Sequence, residues 1–156
     1  MRYLLGIDIG TSSVKSLLMG EDGTVAGIAK MEYDIKKPQQ SWAEQSMEQI
    51  WEAAASSISA LMGRFPEMKK NIAGISYSGQ MHGLVALDKE DKVIRPAILW
   101  NDGRTGEETD YLNQKIGQDK LSAYTANIAF AGFTAPKLLW MKKHEPENFA
   151  KISKIM

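Results

Sequence analysis

The chain has 156 residues, no cysteine, and only two histidines, His82 and His144. Without cysteine, disulfide scaffolds, thiolate metal sites and cysteine nucleophiles are excluded. Two histidines cannot build a three-histidine zinc centre. Neither sign of charge is in surplus: 19 basic and 19 acidic residues cancel. A protein that tracks nucleic-acid phosphates needs a basic excess or stripe, so a nucleic-acid partner is not expected. Long hydrophobic runs are missing as well. The run that starts at Tyr3 meets Asp8 almost at once, which is too short for the core of a signal peptide. No stretch approaches the roughly 20 apolar residues of a membrane helix. The expectation is a cytoplasmic protein with no membrane partner. The 44% hydrophobic content is enough for a core, since a chain of this size buries roughly 70% of its unfolded surface. Length alone gives one domain, or one lobe of something larger.

Hydrophobic patterning divides the chain into thirds. Tyr3 to Ile9 and Val14 to Met19 read as strands. Glu21-Asp22-Gly23-Thr24 is a hairpin signal, and Val25 to Tyr33 a third strand. Together they make an antiparallel meander. Ser46 and Gln49 have capping-box spacing before a helix with Met47, Ile50, Trp51, Ala54, Ile58, Leu61 and Met62 on one face. Strands are expected at Ile72 to Ser78 and Leu84 to Leu87, with a hairpin to Val93-Ile94 and a short run at Ala97 to Trp100. The last third is helical. Thr105 and Glu108 suggest a second capping box, Gly117 a helix end, Thr134-Ala135-Pro136 a helix start, and Pro146 one more short helix. Leu138, Leu139 and Met141 read as the apolar face of the penultimate helix, and Ile152 to Met156 as the start of a further element. Trp42, Trp51 and Trp140 are expected to pack, and Glu44, Glu48, Glu107, Glu108 and Asp110 to lie on polar helix faces.

Three segments carry residues suited to chemistry. In Asp8-Ile9-Gly10-Thr11-Ser12-Ser13 a carboxylate sits at a strand tip, where it can hold a hydrated magnesium ion. Gly10 permits close backbone approach. The following N–H groups, with the hydroxyls of Thr11, Ser12 and Ser13, can form an anion concavity, and Lys15 adds positive charge. The plain alternative is a hairpin turn with a satisfied Asp. No GxxxxGK[ST] and no GxGxxG occurs. In Tyr77-Ser78-Gly79-Gln80-Met81-His82-Gly83 two glycines bracket a polar break between strands. His82 can bond a substrate hydroxyl there, or simply a backbone group. In Trp100-Asn101-Asp102-Gly103-Arg104 an indole, an amide, a carboxylate and a guanidinium suit a polyhydroxylated ligand. Its plain alternative is a core tryptophan with a surface Asp102–Arg104 pair, which would contribute little.

Taken together these segments resemble the N-terminal region of the FGGY carbohydrate kinases, with the strongest match in the xylulokinase branch. The resemblance runs from Gly6-Ile7-Asp8-Ile9-Gly10-Thr11-Ser12 to the terminal Lys154-Ile155-Met156. Asp-x-Gly-Thr is shared with the wider actin, Hsp70 and hexokinase superfamily. More specific are Gly79 to Gly83, Pro96 to Arg104, and Gly132-Phe133-Thr134-Ala135-Pro136-Lys137-Leu138, in that order and spacing. Gluconate-type members tend to carry serine where Gly83 stands, and glycerol kinases an Arg-Glu pair where Met81-His82 stands; this chain departs from both.

The resemblance implies an α/β fold of ribonuclease H-like, actin-like ATPase type, with a mixed sheet flanked by helices and ATP bound between two lobes. It implies that Asp8 organises magnesium and phosphate, and that Gly10, Thr11, Ser12, Ser13 and Lys15 line the phosphate site. Met81 and His82 would contact the sugar, and Trp100, Asn101, Asp102 and Arg104 would form or support the same pocket. ATP and Mg2+ would be the cofactors and a small sugar the partner, with a homodimer as the oligomer to test. The implied reaction moves the γ-phosphoryl of ATP to a hydroxyl of D-xylulose, giving D-xylulose 5-phosphate. Gluconate, ribulose or glycerol would be the alternative acceptors. In this family the catalytic base, the adenosine motifs and the second lobe lie further along the sequence. Residues 1–156 are therefore expected to be the N-terminal part of the first kinase domain, inactive alone. Two rivals remain. A ribonuclease H-type nuclease would need several carboxylates around two metal ions, and Ile75 to Gly79 offers none. A non-catalytic sugar-binding module would keep the same motifs without turnover.

Overall fold

The computed structural model describes all residues, 1–156. In chain order the strands are β1 (Tyr3–Ile9), β2 (Ser13–Gly20), β3 (Val25–Glu32), β4 (Glu44–Gln45), β5 (Ile72–Ser78), β6 (Ala86–Leu87), β7 (Ala97–Ile98) and β8 (Lys154–Ile155). The helices are α1 (Met47–Arg64), α2 (Gly106–Leu112), α3 (Gln118–Thr125), α4 (Thr134–His144) and α5 (Pro146–Phe149). They fall into two units: residues 1–35 with 47–80, and residues 36–46 with 81–156.

The first unit is built on a four-stranded mixed sheet in the order β3-β2-β1-β5. β1, β2 and β3 are the expected antiparallel meander, and β5 returns parallel to β1 after the crossover through α1. The second turn uses the Asp-Gly signal: Gly23 has φ 86°, and Asp22 accepts the Thr24 N–H at 3.0 Å. Side chains alternate across the strands. Leu5 faces its cross-strand partner Leu18, and both pack with Leu61 of α1. Val14 packs with Ala53 and Ala54 of the same helix. Each such leucine contributes about 1.5–3 kcal/mol when fully buried. A buried hydroxyl pair, Ser16 with Ser57 at 2.6 Å, ties β2 to α1. Gly27 admits the helix end, since a Cβ there would lie 2.5 Å from the Phe65 ring. Trp51 departs from expectation. It lies one position off the buried Ala53, Ala54, Ser57, Leu61 stripe and is 74% exposed.

The second unit pairs β4 with β7 and β6 with β8, both antiparallel. Leu84 bridges to Ile98, and Leu87 to Val93, which closes the expected hairpin. Residues 152–156 complete a strand against β6 rather than merely opening an element. Leu84, Ala86, Ile98, Trp140 and Met141 form the core, with Trp42 packed against it. Three details correct the sequence reading. Glu44 is a buried strand residue, and Glu108 is buried on α2 beside Lys143. The Thr105 hydroxyl does not cap α2; it donates to the Ala131 carbonyl at 2.8 Å. The buried face of α4 is Pro136, Lys137, Trp140 and Met141, with Leu138 and Leu139 only half-buried. Gly117 has φ 89°, a conformation suited to glycine where one helical stretch gives way to the next.

Candidate functional site

The candidate residues fall into two groups, one in each unit. In the first unit they gather on one sheet face at the end of β1. Asp8 is exposed, and its Oδ1 accepts the Ser78 hydroxyl at 2.7 Å. Register places Lys15 directly across from Asp8 and Ser78 alongside it, so all three share a face. They line an open depression of about 390 Å³ with Gly6, Leu17 and Ser76. The β1–β2 turn is held from several sides. Its Gly10 N–H donates to the Ser13 carbonyl at 3.0 Å and is therefore used inside the turn rather than offered to an anion. The Gly10 carbonyl accepts the Tyr33 hydroxyl at 2.5 Å and the Gln80 amide at 3.1 Å. Tyr33 also donates its backbone N–H to Ser12. Burial, and then the Asp8 carboxylate, push the Tyr33 phenol above its ordinary value, so it stays a donor. At the tip Ser12 is exposed and Thr11 half-buried, while Ser13 is buried at the start of β2.

No cluster of three or more His, Asp or Glu side chains able to hold a metal ion is present. A closed protein cage is thus not on offer. A single exposed carboxylate with one oxygen bonded to Ser78 does fit a magnesium ion that keeps most of its waters.

In the second unit, Met81 and His82 lie three and four positions past the end of β5. Met81 is 74% exposed and the His82 side chain is exposed too. His82 has φ 62°, in the left-handed region that non-glycine residues seldom occupy. Its ring stacks on Phe133 with centroids 4.3 Å apart and planes 16° apart.

Trp100 to Arg104 divides into two layers. Trp100 is half exposed and Asn101 exposed. Asp102 and Arg104 point the other way, into the protein. The Asp102 carboxylate accepts the Ala43 N–H at 2.6 Å, and the Arg104 N–H, Nε and Nη2 at 3.0, 2.9 and 2.8 Å. Burial by itself would raise the Asp102 pKa; the bonds from Arg104 and Ala43 outweigh it and hold the carboxyl below its ordinary value. Arg104 also reaches Glu44 at 2.8 Å, and its guanidinium lies over Trp42 at 3.8 Å and Trp140 at 4.8 Å. Arg95 pairs with Glu44 and, at 2.6 Å, with Glu145. The Asp102–Arg104 pair is thus a buried hub, not a surface pair, and Trp100 is not a core tryptophan.

Sequence reasoning gives no site role to Glu44, Arg95, Phe133 or Lys137, although Phe133 and Lys137 stand in the Gly132 to Leu138 motif. For Lys137 a signal was present. It lies four residues before Met141 and three before Trp140, a spacing that puts a lysine on the buried stripe of a helix.

Comparison with known proteins extends the picture over nearly the whole chain. Residues 3–156 match the model of the FGGY family of carbohydrate kinases, N-terminal domain. The xylulose kinase of Lactococcus lactis is 44% identical over 156 residues, all of this chain and 31% of that protein. Among solved structures, one described as a xyloylose kinase from Brucella ovis superposes with a TM-score of 0.94 at 43% identity, covering 99% of this chain and 32% of that one. The xylulose kinase of Rhodospirillum rubrum gives a TM-score of 0.94 at 30% identity, with the same coverage. The chain therefore spans about a third of the length of these relatives.

Proposed function

This chain belongs to the FGGY family of carbohydrate kinases, and we propose that in a protein of its relatives' length it serves ATP-dependent phosphorylation of a sugar hydroxyl, with D-xylulose as acceptor and D-xylulose 5-phosphate as product. The observation that carries this reading is the 44% identity to a xylulose kinase across every residue of the chain, with Met81-His82 in place between Gly79 and Gly83.

Phosphoryl transfer depends mainly on positioning and on electrostatic stabilisation of the transferred group. Asp8 is the residue that would hold a hydrated magnesium ion, and Ser78 fixes which carboxylate oxygen faces it. Magnesium, when bound, neutralises phosphate charge. Lys15 adds a cation on the same sheet face. The Gly10–Ser13 turn, held by Tyr33 and Gln80, is the phosphate-facing turn. On the sugar side Met81, His82, Trp100 and Asn101 present exposed groups: an apolar surface, an imidazole, an indole face and an amide. Asp102 and Arg104 act from beneath, fixing the turn that carries Trp100 and Asn101. A base must take the proton of the attacking hydroxyl. No carboxylate of this chain is assigned to it, and residues 1–156 alone should give no turnover.

The test is a substrate panel with the intact gene product: Mg-ATP with D-xylulose, ribulose, gluconate or glycerol, reading kcat/KM for each. D-xylulose should exceed every other acceptor by at least about tenfold. A higher value for another acceptor would replace the substrate, and no sugar-dependent ADP formation would remove the kinase reading.

A further inference from the structure

The Lys137 side chain is fully buried. It takes no part in the site as described so far, yet its hydrogen bonds end on the His82 backbone and on a segment that abuts Trp100. Its Nζ donates to the His82 carbonyl at 2.7 Å and to the Gly132 carbonyl at 2.7 Å. An ammonium group is costly to desolvate unless it is well bonded. Burial pulls its pKa down to about 8, partly opposed by the Asp102 carboxylate and assisted by Arg104. A residue needed only for packing at this position would be a leucine or methionine.

What the ammonium joins is specific. His82 stands in a left-handed conformation at φ 62°, which persists only where surroundings hold it. Two donors from the start of α4 grip its carbonyl, Lys137 Nζ and, at 3.4 Å, the Thr134 hydroxyl. Phe133 lies flat against its ring. The other end of the bridge, Gly132, abuts the second sugar-side segment, where a Cβ would fall 2.3 Å from the Trp100 carbonyl oxygen. One buried cation therefore references the His82 backbone to the same short segment against which Trp100 rests.

We propose that Lys137 is a positioning residue for sugar binding: its ammonium bridges the His82 and Gly132 carbonyls and so fixes the imidazole and indole relative to each other. The proposal rests on the reading that His82 and Trp100 face the sugar.

Lys137→Met keeps the aliphatic stem and removes the donor. In the intact gene product, the KM for D-xylulose should rise by about tenfold or more, with the KM for ATP within about twofold of wild type. Histidine-selective NMR supplies the second readout. The His82 ring signals, shifted by the Phe133 ring beneath them, should move toward unstacked values in the variant. A cooperative melt establishes that the variant is folded; if it is not, Lys137→Gln, which retains one donor group, should give intermediate changes in the same two readouts. Unchanged xylulose KM with unmoved His82 signals overturns the proposal, and so does an equal rise in both KM values. If the wild type phosphorylates no sugar, the kinase reading fails, and the His82 signals alone decide whether Lys137 positions the loop.

Discussion

Asp102 shows how little a residue's type says about its task until its partners are known. Its carboxylate accepts four hydrogen bonds from Ala43 and Arg104. Arg104 in turn is stacked over two tryptophans and paired to Glu44. Removing Asp102 leaves the buried Arg104 guanidinium with Glu44 as its one carboxylate and the Ala43 N–H without its acceptor, and breaking a buried pair in this way costs about 3–5 kcal/mol. Asp102→Ala should therefore lower the urea-unfolding free energy by about that much, a loss far above the surface-pair value of 0–1 kcal/mol. Lys137 carries a pH signature of its own. Its folded pKa of about 8 lies below the ordinary 10.5, so between these values the unfolded chain binds more protons. Stability contributed by this group is lowest below pH 8 and rises as pH increases toward 10.5. Melting curves of wild type and Lys137→Met should thus diverge in slope across that window, with the wild type gaining relative to the variant. A flat difference would contradict it. The sequence made Trp100 to Arg104 legible as one polar cluster. It could not separate the exposed Trp100 and Asn101 from the buried Asp102 and Arg104, because the separating partner, the Ala43–Glu44 segment, lies 59 positions earlier.

At the scale of elements, legibility follows length. β1, β2, β3, β5 and α1 each run at least seven residues, long enough for a period of two or 3.6 to declare itself. β4, β6, β7 and β8 are two residues each, and only pairing with distant partners makes them strands. Capping chemistry misleads for the same reason. The Thr105 spacing is right for a cap, but the hydroxyl finds the Ala131 carbonyl instead. The α4 stripe shares Met141 with the expected face and departs from it elsewhere, because a lysine at a buried position reads as solvent-facing. The turn before α4 carries its own test. Gly132→Ala would drive a methyl group into the Trp100 carbonyl, and backbone offers less relief than a flexible side chain. We expect a loss of about 1–3 kcal/mol, together with a changed Trp100 environment in fluorescence relative to a Trp100→Phe control. Wild-type stability would show that the segment can yield.

For the molecule as a whole, the balanced charge and missing cysteines exclude classes without choosing among those left. The choice comes from three motifs in order, and from similarity that covers all of this chain but about a third of its relatives. No helix is long and apolar enough to cross a membrane. We propose that the phosphate-side and sugar-side residues of this chain serve a xylulose kinase, and 31P NMR of the intact gene product with Mg-ATP and D-xylulose puts that proposal to the test. A sugar-phosphate signal should grow with ADP, be absent without xylulose, and appear at least about a hundredfold more slowly for Asp8→Asn. ATP that stays intact beside xylulose, or turnover that Asp8→Asn leaves untouched, would contradict it.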